Sequence, residues 1–150
     1  MVRNDKEKHA LPAMPCACAS LRRAARAVSQ LYDREMRETG LRAPQFTLLQ
    51  VLSGVDRVMQ GYIGQMLALD STTLSRTLRT LETRKWIRSA PGDDRRERYW
   101  EITANGRGKL ARALPLWERA QRRLRKRMSE KEWATLLDIT GEVAGAARRG

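Results

Sequence analysis

Between Gln60 and Ile102 the spacing of apolar residues changes twice, and that order restricts the fold more than any other feature of the chain. Tyr62, Ile63, Met66 and Leu67 fit a short helix over Gln60 to Ala68. A three-residue corner follows, and Asp70 is a good N-cap for a second helix in which Leu74, Leu78 and Leu81 repeat at i, i+4 and i+7. After Trp86 the period drops to two. Ile87 to Ala90 and Arg98 to Ile102 read as strands around the turn signal Pro91-Gly92-Asp93-Asp94. Helix, corner, helix and hairpin make a helix-turn-helix with a β-hairpin wing, so the expected class is mainly α.

The flanks read as helices. Leu21, Ala24, Ala25, Val28, Leu31, Tyr32 and Met36 form a stripe that starts near Cys16 and ends at Thr39-Gly40. Ala43-Pro44 opens a second helix, buried through Phe46, Leu48, Leu49 and Leu52 and closed at Ser53-Gly54. Thr103 caps a long helix in which Leu110, Trp117 and Leu124 are seven apart, as are Leu114, Gln121 and Met128, a seam suited to helix pairing; Pro115 is expected to kink it. Ser129 and Glu132 form a capping box for a last helix whose Trp133, Leu136, Leu137, Thr140, Val143 and Ala144 share a side, with Trp133 toward the core. The expected organisation is a flexible arm over 1–15 and one domain over 16–150. Within it, about 43–106 form a DNA-binding lobe, and about 16–39 and 107–148 form dimerisation helices. The apolar faces of those helices exceed what one small subunit can bury, which calls for a homodimer.

Charge supplies the chemistry. Thirty Lys and Arg against 17 Asp and Glu give a net +13, which implies a polyanionic partner. On the helix after Asp70, Thr72, Ser75, Arg76, Arg79 and Thr83 cluster opposite the leucines in a cationic strip without a carboxylate. Major-groove readout needs short hydrogen-bonding side chains and Arg on the first turns of a helix, and Ser71, Thr72, Thr73, Ser75, Arg76 and Arg79 fit. Arg96 at the hairpin tip, with Arg95 second, suits the minor groove, and Asp93 and Asp94 can hold those guanidiniums in a fixed pose. The run Arg119, Arg122, Arg123, Arg125, Lys126, Arg127 reads as a solvated helix face. The partner from a different class is structured RNA or another protein, bound by the same basic helices.

Other classes lose ground. No apolar run approaches the roughly 20 residues that span a bilayer. Asp5 and Glu7, together with Pro12 and Pro15, argue against a signal peptide, so the cytoplasm is expected. His9 is the only histidine, there is no glycine-rich phosphate loop, and no nucleophile has an evident base, so neither catalysis nor a cofactor is expected. Two cysteines cannot make a disulfide framework.

The sequence resembles the MarR family of winged-helix transcriptional regulators from Leu21 to about Trp133. The resemblance runs through Gly40-Leu41-Arg42-Ala43-Pro44-Gln45-Phe46 and Leu67-Ala68-Leu69-Asp70-Ser71-Thr72-Thr73-Leu74. Its most specific piece is the wing: Asp94-Arg95-Arg96, five residues, Ile102-Thr103, two residues and Gly106. It implies a homodimer joined by its N- and C-terminal helices, with two recognition helices on successive turns of a near-palindromic operator in double-stranded DNA. It also implies repression relieved by a small-molecule effector or an oxidant.

Cys16 and Cys18 sit where the positive end of the first helix dipole, with Arg22, favours a reactive thiolate. Cys18 resembles the reactive cysteine of the organic-hydroperoxide-sensing branch of that family by its spacing to Leu31-Tyr32, and Tyr32 resembles a tyrosine that hydrogen-bonds the thiol. Arg22 and Ala43 replace further tyrosines of that pattern. Two chains would also bring four thiolates together, enough for a soft metal or metalloid, or the cysteines merely pack while a small molecule binds elsewhere.

Overall fold

A computed structural model describes residues 11–92, 94 and 97–149. Met1–Ala10, with His9 and most of the expected arm, and Asp93, Arg95 and Arg96 lie outside the described residues. Leu11–Cys16 turn back along the first helix, α1 (Ala17–Glu35): Ser20 Oγ donates to the Met14 carbonyl at 3.2 Å and Arg23 to that of Pro12 at 2.8 Å. The α-helical part stops at Glu35, short of Thr39-Gly40. Thr39 donates its hydroxyl to the Met36 carbonyl at 2.6 Å and accepts from the Leu41 amide, which tightens Arg37–Thr39 into a 3₁₀ turn closed by Gly40 at φ +70°.

An acid of α1 starts the next helix. Asp33 accepts from the Ala43 amide at 2.7 Å and pairs with Arg42 at 3.1 Å, while Gln45 accepts from the Arg42 amide, so two first-turn donors of α2 (Ala43–Ser53) are satisfied. A two-residue strand, β1 (Val58–Met59), follows. It is too short to leave a period in the sequence. α3 (Gln60–Leu67) and α4 (Ser71–Thr83) meet at a corner where Ala68 takes the left-handed conformation at φ 51°. β2 (Ile87–Pro91) and β3 (Arg98–Ile102) pair antiparallel from Ile87 opposite Ile102 to Pro91 opposite Arg98, and β1 adds to the other edge of β3, giving the order β1-β3-β2.

The joint into α5 (Ala104–Arg125) is close-packed. Thr103 donates its amide to the Trp86 carbonyl at 3.0 Å and its hydroxyl to that of Lys85 at 2.8 Å, and it caps the Gly106 amide. A Cβ at Gly106 would lie 2.0 Å from the Trp86 carbonyl oxygen, so only glycine fits. Pro115 removes one donor, yet α5 continues through it to Arg125. α6 (Glu130–Arg149) begins with the reciprocal Ser129–Glu132 capping box.

Phe46, Leu48, Leu49 and Leu52 of α2, Ile63 of α3, the three leucines of α4 and Ile87, Trp100 and Ile102 of the sheet form one core. α5 closes it with Ala113 and Leu116, and Met36 and Leu41 close it from the turn after α1. Part of the seven-residue seam of α5 serves this chain itself: Leu110 packs on the core, Trp117 stacks on Phe46 with ring centroids 5.7 Å apart, and Gln121 accepts from the Tyr32 hydroxyl, whereas Leu114 is 39% exposed. Trp133 corrects the expectation placed on it. It is half-buried beneath the Arg125 guanidinium, 5.9 Å from the ring centroid, and no described side chain of α6 reaches the core. The basic run is exposed, and four of its six residues are paired: Arg119 and Arg123 reach Glu35, Arg122 reaches Glu118 and Arg125 reaches Glu130.

Candidate nucleic-acid interface

The leucines fix which face of α4 looks outward. Leu74, Leu78 and Leu81 are at most 2% exposed, whereas Ser71, Thr72, Thr73, Ser75, Arg76 and Arg79 are all on the solvent side. Arg76 and Arg79 have no ion pair among the described residues, so both guanidiniums are available to an incoming anion. Asp70 holds the start of the helix: its carboxylate accepts from the Thr73 hydroxyl at 2.6 Å and the Thr73 amide at 2.9 Å. Those bonds keep the Asp70 carboxyl below the usual carboxylate range. They also commit the Thr73 hydroxyl to the cap, leaving Ser71, Thr72 and Ser75 as the short side chains of the first turns. Thr77, Thr80 and Thr83 each donate to the carbonyl four residues back.

Ser75 and Arg79 line an open groove of about 980 Å³ between α3, α4 and β3, with Gln60, Arg98 and Trp100 on its other walls. Two residues there were not legible as functional. Trp100 is 3% exposed on the middle strand, and its indole N–H donates to Gln60 Oε1 at 3.1 Å; Gln60 Nε2 in turn donates to Ser75 Oγ at 3.0 Å. No local pattern announces a contact that joins the start of one helix to the middle of the next through a strand forty residues on. Behind the groove, Glu82 accepts from the Ser89 hydroxyl and Arg88 pairs with Glu101 across the wing strands. Arg95 and Arg96, the expected minor-groove residues, lie outside the described residues.

The cysteines are remote from this face. Cys16 and Cys18 are exposed at the start of α1, in a shallow depression of about 400 Å³ shared with Arg22, Arg23 and Arg26. Tyr32 is fourteen residues further along the same helix, about 21 Å away. Its hydroxyl is bonded to Gln121 and its pKa is raised by burial, so within one chain it does not touch Cys18. Among the described residues no three His, Cys, Asp or Glu come together as metal ligands. No helix of the described residues is long and apolar enough to cross a membrane.

The model of the MarR family matches residues 39–97, which run from the turn before α2 to the wing. The M. tuberculosis transcriptional regulator MosR, in a structure in complex with DNA, is 33% identical, with a TM-score of 0.81 over 89% of this chain and 97% of that one. The chain belongs to the MarR family. A MarR variant from E. coli in complex with operator DNA shares the fold, with a TM-score of 0.75 at 20% identity over 84% of this chain and 91% of that one. The uncharacterized HTH-type transcriptional regulator YwoH of Bacillus subtilis is 25% identical over 83 residues; that match covers 55% of this chain and 61% of YwoH. All three of these relatives are named as transcriptional regulators or bind operator DNA.

Proposed function

We propose that the chain is a transcriptional regulator, a repressor, that binds a near-palindromic operator as a homodimer and is released by an oxidant or small-molecule signal. The observation that carries this reading is the exposed cationic strip of α4, held on a rigid core with its guanidiniums unpaired. In it, Ser71, Thr72, Ser75, Arg76 and Arg79 read the major groove, with Thr73 ordering the helix start, and Arg96, seconded by Arg95, enters the minor groove. The DNA-binding lobe spans about 43–106, and the helices within about 16–39 and 107–148 pair two chains. Support for pairing comes from α6, a 20-residue helix with Leu137, Ile139 and Val143 39–56% exposed. A helix owes most of its stability to burying apolar side chains, and these three are only partly covered by their own chain.

An oxidant signal enters at Cys16 and Cys18. The thiolate attacks the distal oxygen of an organic hydroperoxide, the O–O bond breaks, the alkoxide leaves as the alcohol after taking up a proton, and the sulfur is left as sulfenic acid. The test is an anisotropy titration against duplexes from the chain's own upstream region, before and after hydroperoxide. Tight binding that weakens roughly 10³-fold or more between about 50 and 200 mM salt is expected. Binding should collapse on oxidation and return with thiol. Arg76→Ala should relax sequence preference, and Arg96→Ala should weaken binding with little change in major-groove preference. Wild-type behaviour of both variants, or equal competition by structured RNA, would overturn the assignment.

A further inference from the structure

Ser75 is an ambivalent group in isolation, with one proton to give and two lone pairs to receive. Its neighbours occupy one lone pair and leave the proton free. The indole N–H of Trp100 can only donate, so the oxygen of the Gln60 amide must face it and the NH₂ must face Ser75. Turning the amide over would set N–H against N–H at a residue 3% exposed. Ser75 Oγ therefore accepts from Gln60, and its own proton points away from Gln60. Unlike Thr77, Thr80 and Thr83, Ser75 makes no bond to the carbonyl four residues back among the described residues, so that proton is not absorbed by the helix.

We infer that Gln60 is a positioning residue that sets the hydrogen-bond polarity of Ser75, so that Ser75 donates to a base acceptor in the major groove. For that proton the partner is an N7 or O6 of guanine, an N7 of adenine or an O4 of thymine. This rests on the DNA-reading role of α4 and adds a direction to it: a buried strand residue that never meets DNA dictates which base edge a recognition-helix serine accepts.

Substitutions can reverse the relay. In Gln60→Glu the carboxylate accepts from both Trp100 and Ser75, which draws the serine proton inward and turns lone pairs toward the groove. In Trp100→Phe the amide is free to turn over, so both polarities become available with Gln60 and Ser75 intact. The experiment selects duplexes with a randomised core on the full-length protein and sequences the bound pool for wild type, Ser75→Ala, Gln60→Glu, Trp100→Phe and the Gln60→Glu/Ser75→Ala pair. Thermal unfolding is followed for each. Ser75→Ala should flatten one position per half-site by roughly two- to tenfold, the worth of one hydrogen bond. Gln60→Glu should invert preference there toward cytosine N4 or adenine N6, Trp100→Phe should broaden it, and the double variant should match Ser75→Ala. The added negative charge lowers affinity for every sequence and cancels in these ratios. If Gln60→Glu does not fold, Trp100→Phe decides alone, by broadened or unchanged preference. A wild-type preference retained at that position overturns the inference, as does uniform weakening by Ser75→Ala, the signature of a phosphate contact. A wild type that selects no sequence overturns the DNA reading itself, a result distinct from either.

Discussion

Ala68 sits at φ 51° between the two helices that the proposed function relies on, and its side chain is exposed. A residue with a Cβ in the left-handed region carries a penalty of about 1–2 kcal/mol that glycine escapes, and no packing would be lost with the methyl group. Ala68→Gly should therefore stabilise the chain by about 1 kcal/mol, a rise in Tm of roughly 2–4 °C for a domain of this size, with operator preference unchanged. Calorimetry checks the first and a titration the second. A fall in Tm would mean that the corner gains rigidity from alanine that outweighs its strain. The corner itself was visible in the sequence as three residues between two periodic runs, but the strain was not, since nothing in Leu67-Ala68-Leu69 signals a positive φ.

At the scale of elements, α4 is held at its start by one carboxylate, and that makes its stability sensitive to acid. The folded pKa of Asp70 lies below the usual value near 3.9, so as pH falls the unfolded chain takes up the proton first. The contribution is complete above that range and disappears as pH drops through the folded value. Asparagine caps as well as aspartate but does not titrate. Asp70→Asn should leave stability near wild type at neutral pH and shallow the loss between about pH 5 and 2, read from urea midpoints. An unchanged acid limb would assign the loss to other carboxylates. Cap, corner, hairpin and the leucines of α4 were all legible because each follows from neighbours within a turn or two. What escaped the sequence depends on distance: β1 exists only because β3 lies beside it, the 3₁₀ turn depends on one threonine hydroxyl, and Trp133 looked like a core residue because its spacing cannot tell a core position from one half-covered by Arg125.

For the whole molecule the decisive feature is α6. Leu137 and Ile139 are 56% and 50% exposed, and burying the exposed half of each against a second chain is worth about 1 kcal/mol. Leu137→Arg together with Ile139→Arg should weaken self-association at least roughly tenfold and turn operator binding concentration-dependent, with sedimentation velocity as the measurement. A variant that stays dimeric would place the interface on other surfaces. The weld between the lobe and α5 matters here too. With Thr103 bound to two carbonyls and no room for a Cβ at Gly106, the lobe cannot slide or swivel on the first turn of α5. The 22-residue helix then acts as a stiff lever about 33 Å long. A tilt of about 5° at its far end carries the reading head some 3 Å, close to the 3.4 Å between neighbouring bases along a strand. In the proposed homodimer, a disturbance at the far end of α5 too small to break any contact would thus be enough to put two reading heads out of step with the double helix.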